Sequence, residues 1–352
     1  MQVDADFGEL FIFCEKSRIC SSMQILENCS FASAVFKLLS FGEYSLVIYV
    51  IAMRKLPLKL KQLQILSRRT LLGETEERER VKLTRGYKGE LEFDKLLDEA
   101  VRDLDVYHLK DYRFKIDAGS ENLKVASGLS EVQIDNVLIA GDRIYTFEVK
   151  NFSFDLIYGT KSWFFTSGQE YKDLSMQVNR QRNSLDFLIR DGGFKSETTP
   201  HLVFVNPRQT IYNMPNIENL IIPSNTHRRL GAICTSNRYD YSGMVDYLDS
   251  RQLAKSMYDL PANVNFEELR SGVFCYQCDS VAELERVSSY MYKCSSCKST
   301  YKTLKIVEIL INEIRTLNPD WEISSMRISI LSGGAISSSC VRKYKRKGLI
   351  SF

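Results

Sequence analysis

Alternation of apolar and polar positions is clearest from Gln133 to Ile139 and, after Gly141-Asp142, from Ile144 to Lys150. Two runs rich in β-branched residues around a glycine-containing turn predict a β-hairpin. In the second run Ile144, Thr146, Glu148 and Lys150 face one side, while Tyr145, Phe147 and Val149 face the other. Upstream the period becomes helical. Glu90, Phe93, Leu97 and Val101, with Leu96 and Ala100 beside them, make an apolar face headed by one carboxylate. Val106 to Ile116 reads as a strand and Asp117 to Ser130 as a polar loop. Beyond the hairpin, Trp163 and Phe164-Phe165 belong to a further strand or packing loop. Leu174, Gln177, Val178, Gln181, Leu185 and Leu188 then mark a helix whose inner face carries two amides. His201 to Asn206 is a buried strand stopped by Pro207, and Leu220 to Ile222 is another. This order predicts an α/β domain with a central mixed sheet.

Elsewhere the pattern is more local. The stretch from Thr70 to Arg85 is highly charged and reads as a solvated helix or linker. Between Arg228 and Leu269 the period is helical without a motif, and Leu304 to Leu317 is an amphipathic helix ending before Pro319. The last segment holds two short helical patterns around Ser332-Gly333-Gly334. Residues 1–52 carry no sustained period. After Met53 a fresh amphipathic start begins, which leaves two readings: an annotation extension ahead of a true start at Met53, or a small N-terminal subdomain.

A chain of 352 residues exceeds one ordinary core, and 44% hydrophobic residues suffice for two or three. A net charge of +3 is too small to imply nucleic acid, so any such argument must rest on where charge is placed. The chain has nine cysteines but lacks the ordered regions of a secretory signal, so reduced thiols and a cytoplasmic location are expected. Phe31 to Met53, the most membrane-like stretch, is broken by Lys37, Gly42 and Glu43, and no membrane span is expected.

The hairpin carries the candidate chemistry. If its strands pair antiparallel, Asp135 comes level with Glu148 to Lys150, so that two carboxylates and an ammonium converge. Hard oxygen donors suit Mg²⁺ or Mn²⁺, here Asp135, Glu148 and the main-chain carbonyl of Val149. Lys150 would lie against a scissile phosphate and the attacking water. Glu90 would complete the metal shell or hold a second ion, and Gln177 would steady the phosphodiester or the water. An isolated Glu-x-Lys is common as a surface ion pair. Four polar groups aimed inward from four elements are harder to explain by packing.

Gly86-x-x-Gly89-Glu90, Gln133-Ile134-Asp135, Phe147-Glu148-Val149-Lys150-Asn151, Trp163 and Gln177 together resemble the nuclease-related domain, NERD, of the PD-(D/E)xK restriction-endonuclease-like superfamily. The resemblance covers residues 86–207. It implies a core sheet flanked by helices and metal-dependent DNA cleavage, with Asp135 and Glu148 as metal ligands, Lys150 as the catalytic lysine, Glu90 as the helical acid and Gln177 as the helical glutamine. The family usually has Asn-Pro before that glutamine, where this chain has Asp173-Leu174.

Cys275-x-x-Cys278, fifteen residues, then Cys294-x-x-Cys297 is the spacing of a structural four-thiolate zinc site. Cys234 and Cys340 read as small apolar residues, and His108, His201 and His227 as structural or exposed. The C-terminal segment resembles a helix-turn-helix, its second helix capped by Ser337. That helix buries Val341 and Tyr344 and exposes Arg342, Lys343, Lys345, Arg346 and Lys347, a face suited to phosphate. The expected segments are 1–52 unassigned, 53–85 a charged helical lead-in, 86–225 the nuclease-like domain, 226–270 a helical connector, 271–303 a zinc ribbon and 304–352 the DNA-binding tail. The expected function is a metal-dependent DNA nuclease; the alternative is a DNA-binding or scaffold protein that keeps the fold without turnover. Oligomeric state is not legible.

Overall fold

The computed structural model describes residues 36–41, 44–49, 54–116, 130–140, 143–159, 162–214, 219–234, 241–278 and 281–352. The expected turn at Gly141-Asp142, nearly all of the 117–130 loop, Met53 and most of 1–52 lie outside these residues. Within 1–52, β1 (Phe36–Phe41) and β2 (Tyr44–Tyr49) pair antiparallel. The chain divides into two compact units, Met1–Lys55 with Arg85–Met257, and Leu56–Thr84 with Tyr258–Phe352. Helix α1 (Leu58–Arg69) belongs to the second unit, and α2 (Glu74–Val101) runs from the second into the first.

In the first unit, β3 (Tyr107–Ile116), β4 (Ser130–Ala140), β5 (Arg143–Lys150), β8 (Glu197–Phe204) and β10 (Leu220–Ile221) form a mixed sheet in the order β10-β8-β5-β4-β3. The hairpin strands β4 and β5 are antiparallel, whereas β8 runs parallel to β5 and β10 parallel to β8. Pro200 lies inside β8 opposite Thr146, but β10 reaches only Leu202 and Val203, so the proline has an open edge where no ladder donor is needed.

Alternation along β5 sorts its side chains onto two faces. Phe147 and Val149 join Phe93 and Leu97 of α2 and Leu230 and Ile233 of α4 (Thr226–Ile233). Ile144 joins Val137, Ile139 and residues of α3 (Leu174–Asp191) and α5 (Ser242–Arg251). Helices therefore cover both faces of the sheet, the α/β arrangement the pattern predicts. A small sheet of β6 (Leu156–Tyr158), β7 (Trp163–Phe165) and β9 (Ile211–Tyr212) surrounds Trp163 with an aromatic cluster.

One expectation fails here. After α5 the chain is not helical to Leu269: it runs irregularly, with Leu253 donating to the Arg113 carbonyl, as far as a short 3₁₀ turn at Phe266–Glu268. Pro261 has no amide to donate to a helical turn and disfavours helical backbone at Leu260 before it.

In the second unit, β11 (Leu284–Arg286), β12 (Met291–Cys294) and β13 (Thr300–Lys302) form an antiparallel sheet. It shares a core with Ile65 and Leu66 of α1 and with α6 (Thr303–Leu317), α7 (Ser325–Leu331) and α8 (Ser338–Arg346). Arg69, almost wholly buried, donates to Glu313 at 2.6 and 3.0 Å and to the carbonyls of Arg270, Gly272 and Leu331. Tyr276 adds its hydroxyl to the same carboxylate. No helix among the described residues is long and apolar enough to cross a membrane.

Candidate active site

The hairpin register brings the two carboxylates together. The ladder ends at Asn136 paired with Phe147, and the next residue, Asp135, lies beside Glu148 and Val149. Both side chains are buried, at 7% and 5% exposure. Asp135 Oδ2 accepts from the Val149 amide at 2.8 Å, which locks the acid against the end of β5. The Lys150 ammonium donates to Glu148 Oε1 and, at 3.3 Å, to Gln177 Oε1.

Helix α3 completes the hold on Glu148. Gln177 Nε2 reaches Oε1 at 2.6 Å, and Gln181 Nε2 reaches Oε2 at 2.7 Å while also donating to the Gln133 carbonyl. The four-residue spacing puts both amides on one face of the helix. Asp173 stands where the family has Asn-Pro, and it caps α3 by accepting from the Ser175 and Met176 amides. A different cap thus starts the helix with Gln177 still facing Glu148.

On the α2 side a residue that the pattern did not single out takes charge of the acids. Arg54 makes a two-pronged pair with Asp94 at 2.9 and 2.9 Å, donates to Glu90 at 3.2 Å, and donates to the Asp135 carbonyl at 2.7 Å. Burial disfavours its charge, but the Asp94 hydrogen bonds and the charges of Asp94, Glu90 and Asp135 outweigh that and raise its pKa. Burial, reinforced by neighbouring acids and opposed by Arg54, raises Glu90. Asp135 stands well above the usual carboxylate range, through burial first and then the charges of Glu148 and Glu90. Glu90 and Asp94, four apart on one helix face, repel unless a cation lies between them. That spacing was the available clue to a missing arginine.

Gly89 has a packing reason. A Cβ there would stand 2.5 Å from the Cβ of Asn151, so α2 passes the residue after Lys150 at a distance only glycine allows. Asn151 Nδ2 donates to the Arg85 carbonyl at 3.0 Å, fixing the same crossing. The histidines stay out of this site. His108 bridges Asp98 and Asn136, His201 stacks on Phe147 with its pKa lowered to about 4 by burial, and His227 is exposed.

Buried acids that repel one another, with oxygen donors only, have the chemistry of a hard divalent-cation site. The oxygens of Asp135 and Glu148 and the Val149 carbonyl are the donors available to such an ion, with both Glu148 oxygens already accepting from Lys150, Gln177 and Gln181 and Glu90 engaged by Arg54.

In the second unit the four cysteines converge, with all sulfurs within 4.8 Å of one another. The Cys275–Cys297 and Cys278–Cys294 sulfur distances are both 3.6 Å. A tetrahedron with zinc–sulfur bonds of about 2.3 Å has edges of about 3.8 Å, whereas a disulfide needs about 2.05 Å. The group fits a structural metal such as zinc. Arg68 of α1 donates to the carbonyls of Cys275 and Cys278, both at 3.2 Å, and holds the first knuckle from outside. Cys234 is an apolar core residue whose thiol burial pushes up to about 12. At the C-terminus the Ser337 side chain accepts from the Cys340 amide, Val341 is buried, Tyr344 is half-buried, and Arg342, Lys343, Lys345, Arg346 and Lys347 are exposed. Lys345 donates to the Phe352 carbonyl.

The fold is a mixed-sheet α/β domain with helices on both faces. Residues 85–205 match the family model of the nuclease-related domain, so the chain carries a NERD domain. No curated protein and no solved structure matches the chain.

Proposed function

We propose that the protein is a Mg²⁺- or Mn²⁺-dependent nuclease that hydrolyses DNA phosphodiester bonds. The observation that carries this reading is Glu148, held at both oxygens by Lys150, Gln177 and Gln181 beside an Asp135 fixed by the Val149 amide. The ion, held by Asp135, Glu148 and the Val149 carbonyl, would supply charge neutralisation at the phosphate and a more acidic water. Lys150 moves its ammonium from Glu148 to the phosphate oxygen on which charge develops. Gln177 orients the attacking water through its amide, and Gln181 keeps Glu148 in place. The C-terminal helix pair, read as a helix-turn-helix-like module, lays its five exposed cations along the DNA backbone, with zinc as a structural support.

Plasmid nicking with Mg²⁺ or Mn²⁺ tests the proposal. Lys150→Ala and Asp135→Ala are expected to lower the rate by about 10²–10³-fold. Equal cleavage by all three proteins refutes the assignment. The second reading, a DNA-binding scaffold, is favoured by the fact that Glu148 is fully engaged by protein donors. It predicts salt-sensitive DNA binding and no cleavage by the intact chain.

A further inference from the structure

Four carboxylates meet at the proposed centre: Glu90, Asp94, Asp135 and Glu148. Two cations pair with them, Arg54 with Glu90 and Asp94 and Lys150 with Glu148. Asp111, also near Glu90, shares Arg113 with Glu131, each at 3.2 Å. The Arg54 side chain is 1% exposed and uses all three nitrogens on Glu90, Asp94 and the Asp135 carbonyl. It therefore lies where a second ion bridging Glu90 and the Asp135 strand would have to sit. A guanidinium stays charged across the working pH range.

We propose that Arg54 serves as a built-in second cation, so that the site takes a single divalent ion and Glu90 is a partner of Arg54 rather than a metal ligand. The inference rests on the metal-dependent reading above. Two acids are left for the ion, Asp135 and Glu148, while Glu90 and Asp94 act through Arg54 to hold the Asp135 carbonyl and with it the start of the hairpin. Arg54 is thus a positioning residue.

The test counts Mn²⁺ bound to the full, zinc-loaded chain by electron paramagnetic resonance, with Asp135→Asn/Glu148→Gln as the control for ions held elsewhere. One ion per chain above that control is expected, and Glu90→Gln is expected to keep it with affinity changed by no more than about threefold. A folded Arg54→Gln protein is expected to bind a second ion, which Glu90→Gln then removes, while Arg54→Lys keeps one. Two ions in the wild type, loss of the ion in Glu90→Gln, or a folded Arg54→Gln chain that still holds one each overturn the role of Arg54. If Arg54→Gln does not fold, the wild-type and Glu90→Gln counts decide. No ion above the control in the wild type overturns the metal reading itself, an outcome distinct from the others.

Discussion

Gly86 and Gly89 lie one turn apart in α2, and replacing each by alanine separates helix propensity from packing. In a helix interior alanine is better than glycine by about 0.5–1 kcal/mol. Around Gly86 nothing lies within 4 Å of a built Cβ, so Gly86→Ala is expected to stabilise by about that amount. At Gly89 the new methyl meets Asn151 Cβ at 2.5 Å, and reaching the 3.4 Å of ordinary contact requires about 0.9 Å of movement. Overpacking of this kind costs about 1–3 kcal/mol. Losing the Asn151–Arg85 hydrogen bond adds about 0.5–1.5 kcal/mol. The two variants should therefore differ by about 2–4 kcal/mol in urea unfolding, with opposite signs relative to the wild type. Because Asn151 follows Lys150, a shift of this size should also slow plasmid nicking by about 10²-fold. Asn151→Gly on top of Gly89→Ala removes the colliding atom and should restore much of the packing loss, whereas Asn151→Ala should not. Equal unfolding midpoints for the two glycine variants would refute the close crossing of α2 and β5.

The raised pKa of Asp135 gives a sign to the pH dependence. A carboxyl raised above its unfolded value contributes stability below about pH 4 that is lost as pH climbs through the native value. Metal-free protein should lose thermal stability over that rise, Asp135→Asn should lose less, and Mn²⁺ should offset the loss in the wild type alone; identical slopes for the two proteins would count against a strained acid. Cys294→Ser should reduce bound zinc from one per chain to near zero, and a chelator should lower the melting temperature of the wild type only; wild-type protein without zinc contradicts the site. Arg69→Met leaves Glu313 buried without its cation and should cost about 3–5 kcal/mol in urea unfolding. Adding Glu313→Leu should recover part of it, and a double variant no better than the single would show that the charge was not the cause.

Part of the site follows from the period of two in β-structure: with Gln133 to Lys150 read as an antiparallel hairpin, Asp135 comes level with the stretch Glu148 to Lys150, and its carboxylate accepts from the Val149 amide. The inner amides of α3 follow from helical spacing in the same way, although only the structure shows that Gln181 as well as Gln177 grips Glu148. Arg54 was not legible. Its partners lie 36, 40 and 81 residues away, and no local period marks a lone arginine after a proposed chain start. The two-unit division was hidden for a similar reason, since α1 reads as a charged lead-in until its buried Arg69 is seen against Glu313. Toward Leu269 the apolar spacing is helical, but Pro261 interrupts it and the chain after Arg251 is irregular.

The ion pair between Arg69 and Glu313 also sets a timetable for synthesis. The partners are 244 residues apart, and at about 5–20 residues per second a ribosome needs roughly 12–50 s to travel from one to the other. During that interval the whole sheet domain emerges, while Ile65, Leu66 and Arg69 on α1 have none of their core partners from α6, α7 and the ribbon. The nascent chain thus carries an unfilled apolar face on α1 from an early stage, and its second unit closes only once α6, α7 and α8 have been made.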